Sequence, residues 1–73
     1  MPSPIRLLDV VALTTDIPEK QLQCGQVGTV VEVLERDSFE VEFCDDEGRT
    51  YALEPLRADQ LLVLHYNPQA AAE

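Results

Sequence analysis

The apolar residues of this chain fall into short runs that alternate with polar ones, and no stretch of ten residues keeps the spacing of an amphipathic helix. The cleanest alternation is "FEVEF", residues 39 to 43, which sets Phe39, Val41 and Phe43 on one face and Glu40 and Glu42 on the other. Around it the pattern predicts a strand at about 8 to 14, a second at 27 to 35, a hairpin of 39 to 44 with 49 to 54, and a short last strand at 61 to 64. The connections carry turn chemistry: "DIPEK" with Pro18, "RDS" at 36 to 38, and "CDDEG" at 44 to 48. Gly25 and Gly48 suit turn positions, and Gly28, just inside a strand, marks a bulge or a close backbone approach. In the second half of the hairpin, Tyr51 and Leu53 are expected to continue the inward set and Pro55 to close the strand. "LRADQ", residues 56 to 60, reads as a tight or 3₁₀ turn.

Three of the predicted strands refuse a single wet face. In "GQVGTVVEVLE", Val27, Val31 and Val33 share one parity while Val30 and Leu34 share the other. Val10 and Ala12 stand against Val11 and Leu13 in the first strand, and the last, "LLVL", is apolar throughout. Two explanations remain open at this point. Either the strands are bent so that one core takes both sets, or Val10, Ala12, Val30, Leu34, Leu62 and Leu64 face a subunit or partner.

Five short strands with short turns predict an all-β domain, and closure into a small SH3-like barrel would remove the exposed edges. Residues 1–66 form the expected single domain, with a frayed tail at 67–73. A chain of 73 residues buries only about 60% of the surface exposed by its unfolded form, so its core is small.

The segments "DVVALTTDIPE", "LQCGQVGTVVEVL", "FEVEFCDDEGRTYAL" and "ADQLLVL", over residues 7 to 64, together resemble a family of small bacterial proteins known only as a domain of unknown function. "G-x-V-G-T-V-V-E-V" also resembles the KOW motif of SH3-like ribosomal and transcription-factor domains. The first resemblance implies a stand-alone small protein, encoded beside other small genes, and no catalytic residues. The second implies a barrel, and a glycine loop that in KOW domains meets nucleic acid or protein with the help of basic residues. Here that stretch carries Glu32 and Glu35 and no cation before Arg36, so the nucleic-acid role does not transfer.

Charge points the same way. Five Lys and Arg against fourteen Asp and Glu give a net charge of −9, and the cations are scattered. Nucleic acid, whose binding rests on clustered cations, is disfavoured as a partner. Seven acids between Glu35 and Glu47 suit a basic protein partner instead.

Few residues offer reaction chemistry. His65 is the sole histidine and sits at the end of the last strand, so no nucleophile has an evident base. Glu40 and Glu42 share a face roughly 7 Å apart, the pattern of a wet strand face before that of an acid and base. "DDE" lacks the ligand spacing of a calcium loop and reads as a hairpin turn. Cys24 and Cys44 are too few for a zinc site and are expected to be reduced, semi-buried thiols. No metal or cofactor is implied. Without Trp, and with Phe39, Phe43, Tyr51 and Tyr66 as its aromatics, the chain can hardly line a groove for proline-rich peptides.

No 18-residue apolar run is present, and "MPSPIRLLDVV" has Arg6 inside its apolar stretch, unlike a signal peptide, so a cytoplasmic protein without membrane contact is expected. The expected function is a non-enzymatic protein-interaction module that self-associates as a dimer or trimer. The alternative is an acidic, antitoxin-like or immunity-like protein that neutralises a basic partner.

Overall fold

The computed structural model describes residues 5–68. Within them lie five strands, β1 (Val10–Leu13), β2 (Val27–Val33), β3 (Ser38–Cys44), β4 (Thr50–Arg57) and β5 (Leu61–Val63). They form one antiparallel sheet in the order β4-β3-β2-β1-β5. The architecture is all-β, as the alternation predicts. Two 3₁₀ turns, Pro18–Lys20 and Ala58–Gln60, interrupt the connections, the second directly before β5. The sheet is open: β4 and β5 are its outermost strands and do not pair with each other. The expected tail at 67–73 lies outside the described residues from residue 69 onward, as do residues 1–4 of the expected domain.

The core occupies the inner side of this sheet. Val11, Leu13, Val30, Phe39, Val41, Phe43, Leu56 and Leu61 pack there. An open sheet needs a cover for that side, and the β1–β2 connection supplies part of it. Ile17 and Leu22 face each other in an isolated bridge within that connection, and both are buried in the core. Lys20 then reaches across to β4, where its ammonium lies 2.7 Å from Glu54.

The puzzle of the β2 valines resolves through a bulge. Val30 pairs with Val41 and Glu32 with Glu40, leaving Val31 as an extra residue in the ladder. Before it, Gly28 and Val30 face inward; Val30 is fully buried in its own chain and is not available to a partner. Val27, Val31 and Val33 are exposed, although the bulge sets Val33 opposite Phe39, on the parity of the core. Leu34 lies beyond the strand, half-buried, its N–H donating to the carbonyl of Ser38 at 2.9 Å. Gly28 meets a steric limit: a Cβ there would stand 2.7 Å from a Val41 methyl and 2.8 Å from the Glu42 carbonyl oxygen.

A second irregularity, between Phe43 and Cys44, corrects the expected facing of β4. Ala52, Glu54 and Leu56 stand opposite Phe43, Val41 and Phe39, so they take the inner parity, and Tyr51 and Leu53 turn outward, each about half exposed. The physical reason is volume: Phe43 fills the inner layer and leaves room for an alanine opposite it. Pro55 does not close the strand, which runs on to Arg57. An outermost strand tolerates a proline whose missing N–H would point to solvent.

Candidate interaction surface

The side of the sheet facing away from the core is built in rows by the strand registers. Leu62 stands opposite Ala12, and Ala12 opposite Val27, giving one apolar row across β5, β1 and β2. The next row holds Val10, Thr29, Glu42 and Leu53. Leu64 extends it, since its N–H donates to the Val10 carbonyl at 2.9 Å. Beyond the bulge, Glu32, Glu40 and Pro55 form a third row. Leu62 is 57% exposed and Val27 47%, while Ala12 is nearly covered by its neighbours.

Of the six residues that the sequence assigns to a partner face, Val10, Ala12, Leu62 and Leu64 therefore meet in two adjacent rows. Val30 and Leu34 do not join them. Tyr51, Leu53, Pro55 and Val27 belong to this outer side and are missing from the sequence-based set. A small residue such as Ala52 opposite a phenylalanine was the available signal for turning β4 over.

The outer side is acidic at one end and neutral at the other. Glu32 faces Glu40 across the β2–β3 ladder, and like charges in opposed positions repel. Among the described residues no cation pairs with either, and Glu42 accepts a hydrogen bond from the Thr50 hydroxyl. The ion pairs lie elsewhere: Lys20 with Glu54, Arg49 with Asp45 and Glu47, and Arg57 with Asp59. The bond from Lys20 to Glu54 holds that ammonium above its ordinary pKa.

The two outermost strands differ in what they offer a neighbour. The Ala58 N–H donates to the Asp37 carbonyl at 2.8 Å, which fixes the phase of the β3–β4 ladder and puts Pro55 where its nitrogen faces outward. On β5, Thr14 donates to Gln60 and Leu64 to Val10, both at 2.9 Å, so Val11–Val63 and Leu13–Leu61 are the non-hydrogen-bonded pairs. The N–H and C=O of Val63 and the C=O of Leu61 accordingly point away from the sheet, while the Leu61 N–H turns back to Ala58. A groove runs along this strand, walled by Ile5, Arg6, Asp9 and Ala58.

The "DDE" segment forms a hairpin turn. The Asp45 carboxylate accepts the N–H groups of Glu47 and Arg49 at 2.9 and 3.0 Å, and Gly48, at φ +82°, donates back to the Asp45 carbonyl. Those amides, that of Arg49 above all, hold the Asp45 carboxyl below its ordinary pKa. Gly25, at φ +96°, donates to the Leu13 carbonyl at the entry to β2. Cys24 and Cys44 are free and exposed, where semi-buried thiols were expected. His65 is exposed. Among the described residues no three His, Cys, Asp or Glu side chains converge as a metal site, and no helix is long and apolar enough to cross a membrane.

The chain belongs to the family described as a domain of unknown function, DUF4926, whose model matches residues 7–63. No curated protein and no solved structure gives a match.

Proposed function

We propose that this chain is a non-enzymatic protein-interaction module that self-associates through the neutral end of its outer sheet side. The observation that carries this reading is the row Leu62–Ala12–Val27 with its neighbours Val10 and Leu64, an apolar strip spanning three strands. Exposed strips of this kind mark interaction sites in small soluble domains. In a chain of net charge −9, a surface free of acids is where two copies can meet with least repulsion. The strand order fits an SH3-like arrangement, and the acid-rich composition favours a protein partner over nucleic acid. The reading takes the chain as a cytoplasmic bacterial protein with both thiols reduced.

Sedimentation equilibrium tests it. A mass rising above 8.2 kDa with concentration is expected, and Leu62→Lys should lower the association. A monomer at every concentration up to the millimolar range would remove the reading.

A second reading, an acidic antitoxin-like or immunity-like protein that neutralises a basic partner, is favoured by the unpaired Glu32–Glu40 row. Its probe is a synthetic peptide alternating Lys and Leu. Binding should weaken in the Glu32→Gln, Glu40→Gln double variant and hold in Glu19→Gln, Asp46→Asn, which has the same net charge. Equal loss in both would reduce the effect to bulk charge.

A further inference from the structure

We infer that two copies of this chain pair edge to edge through β5, antiparallel about a two-fold axis at Val63, so that the two sheets become one. The pairing rests on the self-association proposed above and locates the contact at the β5 end of that apolar strip, where Leu62 and Leu64 meet the other copy. Among the described residues, β5 is one of the two places where the sheet's hydrogen bonding stops, and an open edge is a template for another strand. Nothing in residues 61 to 64 guards it: the run is Leu-Leu-Val-Leu, without charge, proline or glycine. The groove along it supplies the space for a neighbouring strand.

The register follows from which backbone groups point outward. Val63 offers both its N–H and its C=O, Leu61 its C=O, and His65, next in phase, its N–H. Centring the pair on Val63 lets each Val63 N–H donate to the other copy's Val63 carbonyl. Each His65 N–H then reaches the other copy's Leu61 carbonyl. The Leu61 N–H, already committed to Ala58, is not needed.

Side chains match in the same register. Leu62 of one copy stands opposite Leu64 of the other in a non-hydrogen-bonded pair, where cross-strand side chains lie closest. Each Leu62–Ala12–Val27 row then continues across the axis into the other copy's Leu64–Val10 row, with apolar groups meeting apolar groups. Isologous pairing closes on itself and leaves β4 outermost at both ends.

Amide hydrogen exchange on the unmodified chain, read against concentration, tests the geometry. Under conditions where sedimentation gives a dimer, the Val63 and His65 amides should slow at least about tenfold relative to the dilute chain, as amides in a formed ladder do. Val63→Pro removes the outward donor and leaves the β1–β5 bonds in place. It should weaken association by at least about a hundredfold while the monomer's melting and circular dichroism persist. A dimer in which both amides exchange as freely as in the monomer overturns the edge pairing. If, in addition, Val27→Lys dissolves that dimer, self-association through the face stands without it. A monomer throughout overturns both.

Discussion

The two outermost strands of this sheet, β4 and β5, solve the same problem in opposite ways. β4 is the longer, eight residues against three, and so presents the greater hazard of unwanted pairing. It carries Pro55 at a position whose nitrogen faces outward, and the Lys20–Glu54 ion pair lies against it. β5 has neither device, and its outward groups belong to a run of four aliphatic residues. Length alone does not make an edge dangerous or useful. What matters is which groups the ladder phase turns outward and whether a side chain or an imino nitrogen stops them.

The contrast rests on a shared core, and the largest expected effect comes from removing it. Phe43, fully buried beneath the β3–β4 side, should cost about 3–5 kcal/mol as Phe43→Ala in urea unfolding. Because β4 and β5 flank one core, exchange of amides beside both edges should accelerate together. Acceleration confined to β4 would divide the sheet into independent halves. Leu53→Ala, on the outer side of the same strand, should change stability by no more than about 0.5 kcal/mol.

Gly28→Ala comes next, at about 1–3 kcal/mol, because the new Cβ meets the Glu42 backbone as well as a Val41 side chain, and a backbone carbonyl in a ladder cannot step aside. A neutral outcome in the same urea assay would mean that β2 and β3 separate more readily than their pairing implies. Pro55→Val should alter folding stability by less than about 1 kcal/mol yet restore a donor on β4. With two unguarded edges the chain should form species larger than a dimer by light scattering. An unchanged dimer would show that the Lys20–Glu54 pair suffices as a guard.

Asp45 provides the smallest effect. Its carboxyl is held low in the folded chain, so its contribution is present above the ordinary value of 3.8 and is lost as pH falls through the depressed folded value. Thermal melts of the parent chain should therefore lose more stability between pH 6 and pH 2 than melts of Asp45→Asn. Parallel losses would assign the acid sensitivity to other carboxylates. The β3–β4 turn, not either edge, is the element that this substitution loosens.

Much of the fold was legible in the chain. "FEVEF" specified β3 and its facing, "CDDEG" its turn, and "ADQ" the 3₁₀ turn before β5, because each depends on local periodicity or local hydrogen bonds. What escaped was phase. The extra residue at Val31 and the shift between Phe43 and Cys44 are properties of two strands at once, and neither strand's sequence alone records them. For that reason periodicity alone offers Val30 to a partner face as readily as to the core and sets Tyr51 and Leu53 inward, whereas the structure buries Val30 and turns the other two outward. Closure of the barrel was equally out of reach, since whether β4 meets β5 depends on how far the sheet curves. Of the candidate surface, the four residues on β1 and β5 were legible because no irregularity separates those strands.

The bulge at Val31 also sets what the chain can lose. A deletion at that point would leave β2 with an unbroken ladder in which Glu32 still meets Glu40 and Val33 still meets Phe39, so every facing beyond it is kept. Point substitutions at Val31, a partly exposed residue, should be borne with little effect. A one-codon deletion there should be far better borne than one at Glu40, an outward residue of β3, after which Phe39 and Phe43 can no longer both face the core.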